Sequence, residues 1–141
     1  MKLAFCRSKT IGSWLIRKIT WSHWSHVAIV DGDEIIEATY PRVRVSSLDH
    51  LHFNHDEILI VEFPTDKDRD IIAFARSQLG KRYDLIGILG LWLHRDWQNE
   101  DQWWCSELPA WCALKAGVPF FRLEAVHTIQ PQHWYMIYPQ K

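Results

Sequence analysis

Apolar positions divide the chain into short segments with two different periodicities. Residues 3–6, 26–30 and 57–63 are short runs rich in apolar, β-branched or aromatic side chains, which predicts strands. Residues 10–19 place Ile11, Trp14, Leu15 and Ile19 at helical spacing, which predicts an amphipathic helix. Strands therefore dominate the first half of the chain, as expected for an α+β domain with an antiparallel sheet.

The remaining segments are predicted from breakers and caps. A helix is expected from Thr65 as N-cap to Gly80 as C-cap, with Asp66 and Asp68 in its first turn. Further expectations are a short strand at 43–45, a histidine-bearing loop at 48–55, a turn at 81–84, a compact segment with Gly87 and Gly90 at 85–93, an exposed loop at 94–102 and a terminal strand at 133–138.

A hairpin signal lies early in the chain. Asp31-Gly32 separates two apolar runs, and if these two residues form the turn, His26 pairs directly with Glu37. A four-residue loop would instead place Glu37 opposite Ala28, on the face of His26 and diagonal to it, whereas a three-residue loop would reverse the parity. Both even-numbered loops bring an imidazole and a carboxylate within reach of each other.

Cys105 precedes a predicted helix that runs over 107–115 and closes at Gly117. A cysteine at a helix N-terminus lies at the positive end of the helix dipole, which favours the thiolate. The alternative is structural, since an unpaired cysteine is usually a small buried hydrophobe. Cys112, in the middle of the helix, and Cys6, on the first strand, are expected to be such core residues.

Cysteine catalysis requires a thiolate, a base and a polar group that orients the base. Cys105, His26 and Glu37 supply these types, and backbone N–H groups near Cys105, with Tyr83, would hold an oxyanion. The structural alternatives are a solvated histidine and a surface glutamate. His23 is the rival base, although its odd number would place it on the opposite strand face from His26.

Composition excludes several classes of function. The 141 residues fit a single domain, 1–141, and 48% hydrophobic and 23% charged residues are typical of a globular protein. The net charge of −1 and the lack of a polybasic run argue against nucleic-acid binding. The absence of a leader-like apolar segment, and of any apolar run longer than 85–93, predicts a cytoplasmic protein without stable membrane insertion. Three cysteines predict no disulfide framework.

Two residue groups leave alternatives open. His50, His52 and His55 could suggest a metal site, but their spacing fits no common zinc pattern, so we expect a solvated loop and no metal or cofactor. Nine tryptophans indicate either an aromatic core or a substrate groove, and four of them lie around Cys105. These four are Trp92, Trp97, Trp103 and Trp104.

Three motifs together resemble a known family. Residues 26–38, with His-Val-Ala-Ile-Val before Asp-Gly and Ile-Ile-Glu-Ala, resemble the histidine hairpin of NlpC-type papain-like cysteine hydrolases. Residues 75–84 resemble the helix and tyrosine turn of that family, and 104–108 resemble its nucleophile motif. The histidine precedes the cysteine, as in the circularly permuted branch that includes the YiiX/YaeF-like proteins and, more distantly, the lecithin:retinol acyltransferase group.

This resemblance implies a permuted papain-like fold whose antiparallel sheet packs against helices, including the nucleophile helix. It implies a triad of Cys105, His26 and Glu37, with Tyr83 and Trp104 positioning the oxyanion or substrate. It further implies amide, peptide or ester hydrolysis, or acyl transfer, through a thioester, on a peptide, acylated or lipid-like substrate, with the oligomeric state left open. Glu37 favours the hydrolase branch, because the acyltransferases use a second histidine there. The alternative is a silent peptide- or lipid-binding module on the same fold.

One residue departs from the expected motif. Pro109 falls about one turn into the predicted helix, where its ring would collide with the carbonyl of Cys105. The helix is therefore expected either to start later than the motif suggests or to have a distorted first turn. Activation of the thiol by His26 consequently carries more of the hypothesis than activation by the helix dipole.

Overall fold

A five-stranded antiparallel sheet forms the centre of the computed structural model, which describes residues 1–84 and 102–138. The spatial order is β4-β3-β2-β1-β5, and every neighbouring pair is antiparallel. The strands are β1 Lys2–Arg7, β2 His26–Asp31, β3 Glu34–Ala38, β4 Val43–Ser47 and β5 Glu57–Glu62. The predicted α+β class with an antiparallel sheet is confirmed.

Helices follow the strands and pack on both faces of this sheet. A separate pair of short parallel strands is formed by a segment after the third helix and a segment before the helix that follows Cys105. The described helices are α1 Ile11–Thr20, α2 Leu48–Asn54, α3 Asp68–Ser77, α4 Glu107–Lys115, a 3₁₀ helix Leu123–Thr128 and α5 Pro131–Ile137, and the short strands are β6 Arg82–Tyr83 and β7 Gln102–Trp103.

The two faces of the sheet have different covers, because side chains alternate along each strand. Leu3 and Phe5 of β1 join the larger core with Ile71 of α3, Ala113 of α4 and Trp134 of α5. On the opposite face, Ala4 and Cys6 pack with Ala28, Val30, Ile35 and Leu51 of α2. The second cluster is small. His26, which pairs with Cys6 in the β1–β2 ladder, lies at the end of this cluster that borders a cleft.

Helix α1 forms where the apolar spacing predicted it, but its apolar side faces outward. Ser13 and Thr20 are buried, whereas the side chains of Ile11, Trp14 and Leu15 are exposed. Hydroxyl contacts hold the polar side inward: the Ser13 Oγ donates to the Ser25 Oγ at 2.7 Å and accepts from the Ser8 N–H at 3.3 Å. An ordinary surface helix buries its apolar stripe, so this arrangement leaves an unpartnered apolar face.

Two sequence-based assignments are wrong. The histidine-bearing segment predicted as a loop is α2, capped by the Ser47 hydroxyl on the His50 N–H. The predicted terminal strand is α5, which has Pro131 at its first position and Trp134 fully buried while Met136 is exposed. Proline is well tolerated in the first turn of a helix. In a strand, Trp134 and Met136 would lie on the same face because they are two positions apart, whereas here one is buried and the other exposed.

The helix predicted with Thr65 as N-cap starts two residues later than expected. It begins at Asp68 after Lys67 as N-cap, and the Thr65 hydroxyl instead accepts from the Lys67 N–H at 3.1 Å within the preceding turn. Its predicted C-cap, Gly80, has φ 85° two residues after the observed C-cap Gln78, a left-handed conformation that suits glycine. The predicted turn at 81–84 contains β6.

The glycine segment at 85–93, with Gly87 and Gly90, and the loop at 94–102 fall almost entirely outside the described residues, as do Trp92 and Trp97. In residues 1–84 and 102–138, no helix is long and apolar enough to cross a membrane.

Candidate active site

The β2–β3 hairpin brings His26 and Glu37 together in the alternative register. Asp31 pairs with Glu34 around a turn of Gly32 and Asp33, so Ile29 pairs with Ile36 and Glu37 falls opposite Ala28. The preferred turn at Asp31-Gly32 is therefore wrong by one residue. Gly32 has φ 62° and takes the first turn position, where glycine meets no steric penalty.

His26 and Glu37 nevertheless share a face, because the observed register keeps the parity. The His26 Nε2–H donates to the Glu37 Oε2 at 2.7 Å. Both side chains are largely buried, with 12% of His26 and 3% of Glu37 exposed. Hence the carboxylate fixes the ring orientation and leaves Nδ1 as the nitrogen available to a reacting group.

Arg44 occupies the other side of the Glu37 carboxylate, and sequence reasoning missed it. Arg44 is the direct cross-strand partner of Glu37 in the β3–β4 pair. Its Nε donates to the Glu37 Oε1 at 2.9 Å, so each carboxylate oxygen accepts from a different cation. Extending the register count from the predicted short strand at 43–45 could have found this pair, since opposite charges directly across two strands attract.

The charges of this trio follow from burial and contact together. Burial alone would raise the pKa of Glu37, but the bonds from His26 and Arg44 outweigh it and lower that pKa to about 2. Burial would likewise lower the pKa of His26, but hydrogen bonding to Cys105 and Glu37 raises it to about 10. At neutral pH the pair is therefore an imidazolium and a carboxylate.

Cys105 reaches this pair from the β6–β7 side of the molecule. Tyr83 pairs with Trp103 in the parallel ladder, and the Asp84 N–H donates to the Trp103 carbonyl at 2.9 Å. The Cys105 side chain follows directly and lies close enough to His26 and Tyr83 to raise the pKa of both. Cys105 is 96% buried, with an exposed fraction of 4%.

Tyr83 is held as a neutral hydroxyl. Burial, followed by the charge of Cys105, raises the pKa of Tyr83 well above its ordinary value. A protonated phenol is a hydrogen-bond donor, and this one lies against the sulfur. The structure thus places Tyr83 beside Cys105, the predicted nucleophile.

Trp104 lies elsewhere. Its side chain is buried, with 4% exposed, and it is not among the described residues that line the cleft. Cys105 is equally buried and is likewise not among those lining residues. The role predicted for Trp104 therefore stays a prediction.

Helix α4 starts after the cysteine, which resolves the expected conflict at Pro109. Ser106 is the N-cap and Glu107 the first helical residue, so Pro109 falls in the first turn, where no intrahelical N–H bond is required. Cys105 lies one residue before the N-cap. The helix dipole therefore acts on it from a turn that contains a proline and a carboxylate.

The C-terminal segment locks the start of α4. The Ser106 Oγ donates to the Ile129 carbonyl at 2.6 Å, and the Trp134 Nε1 donates to the Ser106 carbonyl at 2.9 Å. The His127 Nδ1 contacts the Glu107 carboxylate. Sequence reasoning missed this second histidine–glutamate pair because the two residues are twenty positions apart with no regular element to count along.

A cleft with a cavity volume of about 510 Å³ opens at the histidine pair. Helix α1 supplies Gly12, Ser13 and Ile16 to its wall, and α2 supplies its other side. Among the described residues, the polar side chains around it are Ser8, Thr10, Ser13, Ser25, His26, Glu37, Thr39, Tyr40, Arg44, His50, Asn54, His55 and Tyr83. This lining suits a polar, hydrogen-bonding ligand.

His55 is a further cleft residue that sequence reasoning assigned to a solvated loop. Its ring stacks on His26 at 5.9 Å between centroids and 8° between planes. Its Nδ1–H donates to the Leu51 carbonyl at 3.0 Å, and burial with the nearby His26 charge lowers its pKa. A neutral imidazole can stack on the His26 cation without repelling it.

The histidines predicted to lie on one loop do not converge. His50 contacts Asn54 at 3.1 Å, whereas the ring of His55 stacks on His26, so these two have separate surroundings. In the described residues, no group of three histidine, cysteine, aspartate or glutamate side chains is arranged to hold a metal ion. The rival base His23 instead contacts Glu57 at 3.1 Å on the surface.

Comparison with known proteins gives a similar fold among solved structures. No protein-family model and no curated protein matches the sequence. Among solved structures, the fold is similar to that of the metalloprotein YiiX from Escherichia coli O157:H7, with a TM-score of 0.64 and 21% identity. The match covers 82% of this chain and 64% of the YiiX chain, so this chain spans less than two thirds of its neighbour. At this identity the similarity shows the fold alone.

Proposed function

We propose that this chain is a papain-like cysteine hydrolase of the circularly permuted type, which cleaves an amide or ester through a thioester. The observation that carries the proposal is the approach of Cys105 to the His26–Glu37 pair: His26 and Glu37 are joined at 2.7 Å, and the pKa of His26 is raised by both Cys105 and Glu37. Three residue types required for cysteine catalysis converge from distant parts of the sequence. The similarity of this fold to that of YiiX supports the fold named in the proposal.

The charge state defines the resting form of the site. Because the pKa of His26 is raised to about 10, the imidazole holds a proton at neutral pH and lies beside the sulfur as a cation. An adjacent cation stabilises a thiolate, which is the reactive form of cysteine. Glu37, held ionised by Arg44, stabilises that cation from the other side.

Acylation then proceeds with a balanced proton count. The Cys105 sulfur attacks the carbonyl carbon and forms a C–S bond, while the carbonyl oxygen gains negative charge and accepts from the Tyr83 hydroxyl. His26 gives its proton to the leaving amine or alcohol as the C–N or C–O bond breaks. The neutral imidazole next takes a proton from water, whose oxygen attacks the thioester and releases the acid and the thiolate.

The neighbour's description as a metalloprotein raises the question of a metal centre here. In the described part of the chain, Glu37 is the only carboxylate that lines the cleft and it is bonded to His26 and Arg44, and no set of three donors is placed to bind one ion. The described donor set does not fit a metal site, and the proposed steps use this chain's own side chains.

Selective alkylation tests the proposal. At neutral pH, iodoacetamide should modify Cys105 about tenfold or more faster than Cys6 or Cys112, as read by peptide mass spectrometry. Burial raises the pKa of the two other thiols, so they remain protonated and slow, and each serves as an internal control. The Cys105→Ala variant should lose the fast site and keep its thermal midpoint. Equal, slow modification of all three thiols would contradict the hydrolase and favour a binding module.

A further inference from the structure

The outer face of α1 is an apolar surface next to the cleft that nothing in the proposed chemistry uses. We name it the α1 patch and define it by Ile11, Trp14, Leu15, Lys18 and Trp21. The exposed fractions are 85% for Ile11, 51% for Trp14, 50% for Leu15 and 92% for Trp21. Exposed apolar patches on the order of a few hundred Å² typically mark interaction sites on monomers.

The α1 patch is a regular helical stripe and not a scatter of exposed residues. Ile11, Trp14, Leu15 and Lys18 are spaced by three and four positions, so they lie on one side of α1. Trp21 follows as the C-cap in a left-handed conformation with φ 51°, which ends the helix beside the stripe. The opposite side is fixed to the protein by the buried Ser13 and Thr20.

Cationic side chains outnumber carboxylates around the α1 patch. Residues 1–30 contain five lysines and arginines and no acidic residue, whereas the other 111 residues hold eleven of the 16 cations and all 17 acids. Lys18 lies within the patch and is exposed. Lys9, near the start of the helix, is also exposed, and its backbone N–H donates to the Asp56 carboxylate at 2.6 Å. Arg17 turns back to the Ser8 carbonyl at 2.9 Å, and Arg7 is partly neutralised by Glu57 at 3.3 Å.

This combination fits an anionic membrane surface better than a protein groove. Tryptophans concentrate at the boundary between lipid headgroups and acyl chains, and an interfacial helix carries an apolar face with lysines able to extend toward phosphates. We infer that the α1 patch docks the protein on an anionic lipid surface, with α1 lying in the plane of the interface. The other side of α1, with Ser13 and Ile16, lines the cleft, so docking would hold the cleft beside the bilayer.

Vesicle co-sedimentation tests the inference without any measure of activity. The protein should sediment with vesicles of equal parts phosphatidylcholine and phosphatidylglycerol, and about tenfold less with phosphatidylcholine alone. The double variant Trp14→Gln, Trp21→Gln should lose about tenfold or more in partitioning, while Phe53→Gln should not. Phe53 is the matched control because it is an aromatic residue with 90% exposure on α2.

Charge reversal separates lipid attraction from general stickiness. Lys18→Glu should weaken binding to the anionic vesicles, whereas Lys115→Glu, at an exposed lysine of α4, should have a smaller effect. Wild-type protein that stays in the supernatant, or a tryptophan double variant that binds as well as wild type, would overturn the inference. The inference would also be overturned if light scattering showed that the protein is a dimer and that the same double variant dissociates it, since loss of the dimer would then explain the change in sedimentation. Failure here leaves the alkylation test of the active site unaffected.

Discussion

The structure contains two histidine–glutamate pairs, and they differ in what surrounds the carboxylate. Glu37 bonds His26 on the sheet, and Glu107 contacts His127 at the start of the cysteine helix. Their side chains are similarly buried, with 3% of Glu37 and 5% of Glu107 exposed. Yet the pKa of Glu37 is lowered to about 2, whereas the pKa of Glu107 is raised to about 7.

A third charged residue near each carboxylate explains the difference between the two pKa values. Burial pushes both carboxyl pKa values upward, and a histidine pulls both down. Glu37 has Arg44 as a second cation on its free oxygen, but Glu107 has the negative charge of Asp84 nearby. A buried carboxylate next to a histidine is therefore no signature of a catalytic pair by itself, since the charge behind it decides whether it holds an imidazolium at neutral pH.

The largest predicted contrast is in the dependence of stability on pH. Glu37 has a folded pKa of about 2, below its ordinary value of 4.5, so its contribution is present above about pH 4.5 and lost as pH falls through 2. Glu107 has a folded pKa of about 7, above 4.5, so its contribution is present below pH 4.5 and lost as pH rises through 7. Each contribution is worth about 3 kcal/mol.

Matched variants separate the two contributions by urea unfolding across pH. Glu37→Gln should flatten the loss of unfolding free energy on the acid side, and Glu107→Gln should flatten the loss between about pH 5 and 7. Glu62→Gln, at an exposed glutamate of β5, is the control and should change neither limb. If both glutamine variants flattened the same limb, the assignment of opposite charge environments would be wrong.

A smaller contrast is expected in the reactivity of the thiol. His26→Ala removes the cation beside the sulfur and should slow alkylation of Cys105 at pH 7 by about tenfold or more. His127→Ala removes a partner of Glu107 that does not bond the thiol, so the rate should change by less than about threefold. Equal losses in the two variants would mean that the integrity of the helix start, and not the His26 ion pair, sets the reactivity. Circular dichroism on both variants checks that each remains folded.

Local sequence patterns predicted those parts of the site that lie on regular elements. Counting along a hairpin placed Glu37 on the face of His26 even though the turn was misassigned by one residue, because both even loops conserve side-chain parity. Tyr83 and Cys105 were predicted from sequence motifs. In the structure, Tyr83 lies on the short strand β6 and Cys105 lies just before the start of α4. The α+β class followed from the same periodicities.

The sequence could not predict contacts between residues far apart along the chain, because such partners cannot be found by counting positions along one regular element. Glu107 meets His127, and Ser106 meets Trp134, through a 3₁₀ helix and a C-terminal helix whose apolar positions resemble a strand. The outward face of α1 was also hidden, since periodicity shows that a helix has an apolar side but not which way that side points. Buried hydroxyl contacts of Ser13 decide the orientation, and those depend on Ser8 and Ser25 from other elements.

The smallest contrast concerns Arg44, the residue that distinguishes the two pairs. Arg44→Gln should reduce the unfolding free energy at neutral pH by about 1 kcal/mol, since its side chain is 47% exposed and solvent screens the ion pair. The same variant should raise the pKa of Glu37 toward its ordinary value, which shifts the acid limb of the urea profile to higher pH while the His26 bond keeps part of the effect. Arg69→Gln, at an exposed arginine of α3, is the matched control. An acid limb that stays in place when Arg44 is removed would show that His26 alone holds Glu37 ionised, and the difference from Glu107 would then have to come from Asp84.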